Sequence, residues 1–218
     1  MRPARSSGSS GPERDTLRRM SKTLPIIYLA RHGETTWSRT GRHAGLVDVP
    51  LTKRGESEAR QLGRRLRGLS FKKVFTSPLQ RVSRTCKLAG FGEVAVADRN
   101  LLEWNYGDDE GKTTKQILKE RPDWRPFRDG YPGGESLQQI SDRADRVVRR
   151  VRAIRGNVLL FSSGHFLRVL AARWLDLEAG AGRFFAVRTA SLGALGYDDE
   201  QPLQPLIRLW DYKGRPKR

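Results

Sequence analysis

Cysteine is nearly missing from this 218-residue chain, where Cys86 stands alone. A single thiol excludes an internal disulfide and cannot build a zinc site by itself, so it reads as a small buried hydrophobe on a helix. No apolar run approaches the roughly 18 residues needed to cross a bilayer, and the first 23 residues hold no apolar segment of the secretory kind. The expectation is a soluble, cytoplasmic protein without a membrane partner. Acidic side chains are also in deficit, 24 against 42 basic ones, for a net charge of +18. Residues 1–23 carry six basic and two acidic groups, and residues 213–218 carry four basic groups and no acid. The excess over 24–212 is spread out, much of it as arginine on polar helix faces. Solvated helix faces explain it best and a site for small polyanions next, while nucleic acid is disfavoured as a partner.

The length suits one domain with a sizeable core. Residues 1–23, with Ser-Ser-Gly-Ser-Ser-Gly at 6–11, are too poor in apolar side chains to offset the entropy of ordering. They are expected to be a disordered basic tail, with a single domain over 24–212 and a basic tail at 213–218.

What is present is an alternation of strands and helices. The run Pro25–Ala30 reads as a strand buried on both faces that empties into the polar turn Arg31-His32-Gly33-Glu34. A Gly-punctuated loop from Thr35 to Leu51 leads to Thr52, a plausible N-cap for a helix over 53–68. In that helix Ala59, Leu62, Leu66 and Leu69 recur at helical spacing, with Arg60, Arg64, Arg65 and Arg67 opposite. Further strands are expected at 73–76, 94–97 and 158–161, and late ones near 192–197 and 206–210 run antiparallel at the sheet edge. Helices are expected after Ser77-Pro78, at 113–120, over 135–155 and after Ser162-Ser163-Gly164-His165. Residues 105–134, rich in Gly, Asp, Pro and aromatics, read as a lid or substrate wall.

Right-handed crossovers would make the early strands parallel, with their carboxyl ends on one rim. That rim is where open α/β sheets place chemistry. It would gather Arg31, His32, Arg81 and His165 from distant segments, with Glu103 over the same pocket. A helix N-terminus beside His165 would add amide donors. Two guanidinium groups, two imidazoles and one carboxylate suit a phosphoryl group. Taken singly, each has an ordinary explanation: a surface loop, a helix cap, a solvated arginine, a loop carboxylate.

Six blocks in order resemble the histidine phosphatase superfamily, also called phosphoglycerate mutase-like. They are Leu29–Thr35; Pro50-Leu51-Thr52 with Gly55; Ser77–Arg81; Leu102-Glu103 with Gly107 and Glu110-Gly111; Gly133–Ser136; and Ser163–Phe166. The resemblance spans residues 25–198 and implies a three-layer α/β/α sandwich around a mostly parallel sheet. It implies that His32 is the nucleophile, forming a phosphohistidine. Arg31, Arg81 and His165 would hold the phosphoryl oxygens, and Glu103 would act as acid and then base. No metal or other cofactor is implied.

Two departures stand out. Ser38 occupies a position where many members carry Asn, and Ala44 replaces a common hydroxyl residue before Gly45. Ser38 and Gly45 are therefore secondary substrate-binding candidates. His43 resembles a substrate contact of some sugar phosphatases, a solvated loop histidine being the alternative. Glu103-Trp104 followed by Asp109-Glu110-Gly111 looks like the phosphatase branch, and the pattern from Trp37 to Asp48 is similar to members acting on sugar bisphosphates such as sedoheptulose bisphosphate. The expected activity is hydrolysis of a small phosphorylated metabolite. The alternatives are mutase-type phosphotransfer and a catalytically silent, basic polyanion-binding module. Oligomeric state is left open by the sequence.

Overall fold

The computed structural model describes residues 24–201 and 203–214; the tail expected at 1–23 lies outside the described residues, as does most of that at 213–218. Strand β1 (Ile27–Arg31) is followed by helix α1 (Thr36–Thr40) and α2 (Lys53–Arg65). Next come β2 (Lys73–Thr76), α3 (Gln80–Leu88) and β3 (Ala95–Ala97), then α4 (Thr114–Glu120) and α5 (Pro126–Asp129). The chain continues through α6 (Leu137–Arg152), β4 (Val158–Ser162), α7 (Gly164–Trp174), β5 (Leu192–Tyr197) and β6 (Pro205–Tyr212).

One six-stranded sheet has the order β3-β2-β4-β1-β5-β6. The β3-β2, β2-β4 and β4-β1 pairings are parallel, whereas β5 runs antiparallel to β1 and β6 to β5. Alternation along the central strands separates two apolar layers, as the two-residue period of a strand requires. Ile27, Leu29, Val158 and Leu160 face a core shared with α6 and α7. Ala30, Leu159 and Phe161 face a smaller one shared with α2 and α3. The result is the expected three-layer α/β/α arrangement, mostly parallel, with an antiparallel margin.

Thr52 caps α2 as anticipated, its hydroxyl accepting from Gly55 N–H. The helix stops at Arg65 rather than 68. Arg65 is not on a purely solvated face either: its Nη1 donates to the carbonyls of Ala190 at 3.0 Å and Tyr212 at 3.1 Å, tying α2 to the ends of β5 and β6. Within the stretch expected to be a loop from Thr35 to Leu51, a capping box between Thr35 and Ser38 nucleates the one-turn α1. Cys86 is buried on α3, and desolvation pushes its thiol up to about 12.

Candidate active site

β1 and β4 are neighbours in register, with Arg31 opposite Ser162. Their carboxyl-terminal loops are therefore adjacent although about 130 residues of sequence separate them. The loop after β1 carries His32 and the segment after β4 carries His165. Together with Arg31, Arg81 and Glu103, both line a cavity of about 180 Å³. Ser38, Arg42, His43, Tyr106 and Arg168 complete much of its wall.

His32 is 5% exposed. Its main chain is fixed from two sides, N–H to Ser162 O at 3.1 Å and C=O from Ala190 N–H at 2.9 Å. Its Nδ1 lies 2.8 Å from Gly33 O; an N–H donating there leaves Nε2 as the ring's nucleophilic lone pair. Burial above all, then the charges of Arg31 and Arg81, hold this imidazole well below its usual pKa, so the ring is neutral. The loop cannot relax away. A Cβ on Gly33 would lie 2.3 Å from Gly55 O, and one on Gly55 would lie 2.0 Å from Glu34 O. The glycines of the first two sequence blocks are thus backbone meeting backbone. Thr85, fully buried on α3, accepts Gly33 N–H at 3.0 Å and donates to Arg81 O at 2.7 Å, linking the His32 loop to the helix of Arg81.

Arg81 is 1% exposed and donates to Gly45 O at 2.7 Å and Val47 O at 2.8 Å. Arg31 Nη1 donates to Val187 O at 2.5 Å. In both guanidinium groups Nε is buried with no protein partner among the described residues. Buried donors of this kind are costly unless something accepts from them. Gly164 brings helix α7 close to Arg31, since a Cβ there would sit 3.1 Å from the guanidinium carbon. Among the described residues no three carboxylate, imidazole or thiol side chains gather as a metal site requires; the positive charge of the cavity comes from its guanidinium groups.

The amides at the start of α7 are arranged differently from the sequence expectation. Those of His165 and Phe166 are not free donors into the pocket. Phe166 N–H donates to Glu103 Oε1 at 2.8 Å and His165 N–H to Oε2 at 3.1 Å, so Glu103 caps the helix and Ser163 makes no side-chain cap. Trp104 N–H also donates to Oε1 at 2.9 Å, leaving Oε2 with the greater spare accepting capacity. The Glu103 segment is clamped by buried Arg143, which donates to the carbonyls of Asn100, Leu102 and Glu103 and makes a two-point pair with Glu135.

The secondary candidates divide. Ser38 lines the cavity, but its hydroxyl accepts from Thr35 N–H at 2.9 Å and donates to Thr35 O at 3.1 Å, so it is committed to the cap of α1. Gly45 is not in the wall; it acts through its carbonyl on Arg81, at a positive φ of 50° with Glu110 packed where a Cβ would be. His43 is no solvated loop residue. It is packed against Tyr106, Tyr131, Trp124 and, stacked, His165, with Nε2 3.2 Å from Thr114 Oγ1. Burial holds its pKa down. All three histidines of the chain therefore border one cavity.

Sequence reasoning missed Arg168, Tyr106, Thr85 and Arg143. Arg168 follows His165 by three residues on α7, a spacing that puts both on one helix face. Tyr106 sits in an irregular stretch without any periodic signal.

Residues 27–208 match the sequence pattern of the histidine phosphatase superfamily, branch 1. An acid phosphatase of Mycobacterium tuberculosis is 42% identical over 176 residues, covering 79% of this chain and 86% of the relative. A sedoheptulose 1,7-bisphosphatase of Saccharomyces cerevisiae is 31% identical, covering 89% and 82%. A probable phosphoglycerate mutase GpmB of Salmonella choleraesuis is 34% identical, covering 80% and 86%. Among solved structures, that of the open reading frame Rv3214 of Mycobacterium tuberculosis superposes with a TM-score of 0.76 at 38% identity, covering 86% of this chain and 99% of that one.

Proposed function

The chain belongs to the histidine phosphatase superfamily, and from that premise we propose that it is a metal-independent phosphomonoesterase working through a phosphohistidine. The convergence of His32, Arg31, Arg81, His165 and Glu103 on one cavity carries this reading. The neutral His32 Nε2 attacks phosphorus in line while the bond to the leaving oxygen breaks and Glu103 gives that oxygen its proton. Arg31, Arg81 and His165 stabilise the charge on the other phosphoryl oxygens. Glu103, now a carboxylate, takes a proton from water as its oxygen attacks phosphorus. The P–N bond breaks, and inorganic phosphate and the resting enzyme are restored. Oε2 serves both transfers.

The substrate is a small phosphorylated metabolite, with a sugar phosphate or bisphosphate as the first class to try. The yeast relative's name and a wall bearing Arg42, His43 and Arg168 support that class. Residues 24–212 are read as one catalytic domain between basic tails. No helix among the described residues is long and apolar enough to cross a membrane, and a cytoplasmic site of action fits a chain with a single, buried cysteine.

Release of phosphate from p-nitrophenyl phosphate in the presence of EDTA, lost in a folded His32→Ala variant, is the expected result. Full EDTA sensitivity, or a His32→Ala variant as active as the parent, refutes the reading. The GpmB relative favours a second reading, mutase-type phosphotransfer. It predicts conversion of 3-phosphoglycerate to 2-phosphoglycerate with a bisphosphoglycerate primer, where the phosphatase reading predicts none. A basic binding module would instead bind duplex nucleic acid with a steep salt dependence.

A further inference from the structure

Tyr106 has no assigned role in the chemistry above, yet its hydroxyl lies 2.6 Å from His165 Nδ1. The ring is 3% exposed and lines the cavity. Edge-on packing against His165 and His43, and a tilted contact with Tyr131, fix its plane.

A contact this short between two enclosed groups is a hydrogen bond, and its direction decides which ring nitrogen carries hydrogen. If Nδ1–H were the donor, the phenol oxygen would accept and its own hydrogen would need a second acceptor. Among the described residues the hydroxyl has His165 as its hydrogen-bond partner and no carbonyl or carboxylate besides. That arrangement would leave the O–H without an acceptor from the chain itself. With the phenol as donor, both groups are satisfied within the chain, and this is the direction the geometry favours. The hydrogen of a neutral imidazole then resides on Nε2.

Resting on the reading of this cavity as a phosphoryl site, we infer that Tyr106 is a positioning residue that donates to His165 Nδ1 and thereby keeps the hydrogen on Nε2, available to a phosphoryl oxygen. The opposite tautomer would offer that oxygen a lone pair and repel it. A hydroxyl bonded to His165 thus sets the sign of the interaction that His165 makes.

The charged and titratable groups around His165 are Arg31, Arg168, His43 and Glu103, together with Tyr106 itself. The arginines keep their charge through the working range, so His43 and Glu103 are the neighbours whose titration must be separated from that of His165. Nitrogen-15 NMR of the full chain reads each imidazole directly. With three histidines present, His43→Gln and His32→Ala assign the His165 pair by elimination.

In the parent, Nδ1 is expected to resonate as an unprotonated nitrogen and Nε2 as a protonated one. In Tyr106→Phe, which keeps the ring, the Nδ1 signal is expected to move toward the protonated position and the His165 titration to higher pH. The value of kcat/KM for p-nitrophenyl phosphate should drop about tenfold or more, the scale seen when a partner that orients a working imidazole is removed. Tyr131→Phe, in the same aromatic cluster but outside the cavity wall, should change none of these. A protonated Nδ1 in the parent overturns the inference even if Tyr106→Phe fails to fold, and so does an unchanged Nδ1 signal and titration in a folded Tyr106→Phe. The tautomer is read in the resting protein, so a chain that hydrolyses nothing would sink the phosphatase reading without deciding this one.

Discussion

Thr85→Val isolates one hydroxyl that the site depends on without touching it. Thr85 is fully buried, and its oxygen both accepts Gly33 N–H at 3.0 Å and donates to Arg81 O at 2.7 Å. Valine keeps the shape and removes both bonds. The Arg81 carbonyl retains its helical partner within α3, so little is lost there. Gly33 N–H is the real casualty, because the valine methyl takes the place of the oxygen that accepted from it and cannot accept a hydrogen bond. A buried amide left without an acceptor costs about 1–3 kcal/mol. For a chain of this size that is a fall in Tm of roughly 2–12 °C. The loop carrying His32 also loses its tie to α3, and misplacing a nucleophile by a fraction of an ångström lowers kcat by about tenfold to a hundredfold. Differential scanning calorimetry and steady-state hydrolysis of p-nitrophenyl phosphate measure the two effects. Thr85→Ser, which keeps the oxygen, should recover most of the rate. A Thr85→Val protein with Tm within about 1 °C of the parent and kcat within twofold would refute the argument.

Other perturbations test other parts. Arg143→Ala strands Glu135 and releases three carbonyls around Glu103, with side chains only 10% and 16% exposed in the pair; a loss of about 3–5 kcal/mol in urea unfolding is expected. Gly55→Ala forces a Cβ to 2.0 Å from Glu34 O, and expression should yield a protein unfolding well below the parent in a thermal shift assay. His32 and His165 are both held well below their usual pKa by burial. The unfolded chain therefore binds protons below about pH 6.5 that the folded chain refuses, and stability should fall as pH drops from there, by up to about 1.4 kcal/mol per pH unit for each histidine. Urea midpoints at pH 7.5 and 5.5 check the sign. With its thiol pushed up to about 12, Cys86 should be silent toward a thiol reagent at pH 8 until urea is added.

The strand at β1, the Thr52 cap and the stripe Ala59, Leu62 and Leu66 were legible because each rests on neighbours within a turn or a two-residue period. The rim positions of His32, Arg81 and His165 followed from topology, given parallel strands. What could not be read were assignments of hydrogen bonds among competing partners. Nothing local says that Ser38 spends its hydroxyl on Thr35, or that Glu103 reaches across more than 60 residues to claim the first amides of α7. Tyr106 and Arg143 act through contacts 59 and 40 residues away, with no periodicity to announce them. Arg168 was recoverable from its helical spacing to His165 alone.

The neighbouring positions of β1 and β4 have a consequence for how such a protein can diversify. The width of the phosphoryl cradle is one interstrand step, set by the ladder that pairs Arg31 with Ser162. The far wall is drawn instead from Tyr106 and from the loop Gly41, Arg42, His43 and Ala44, which is braced from behind by the Arg42–Thr113 bridge and the bond from Arg42 to Gly111 O. On the phosphatase reading proposed above, the reacting groups and the loop that would meet the leaving alcohol come from separable parts of the chain. Exchanging residues 41–44 for those of a relative is a way to graft new selectivity onto an unaltered chassis.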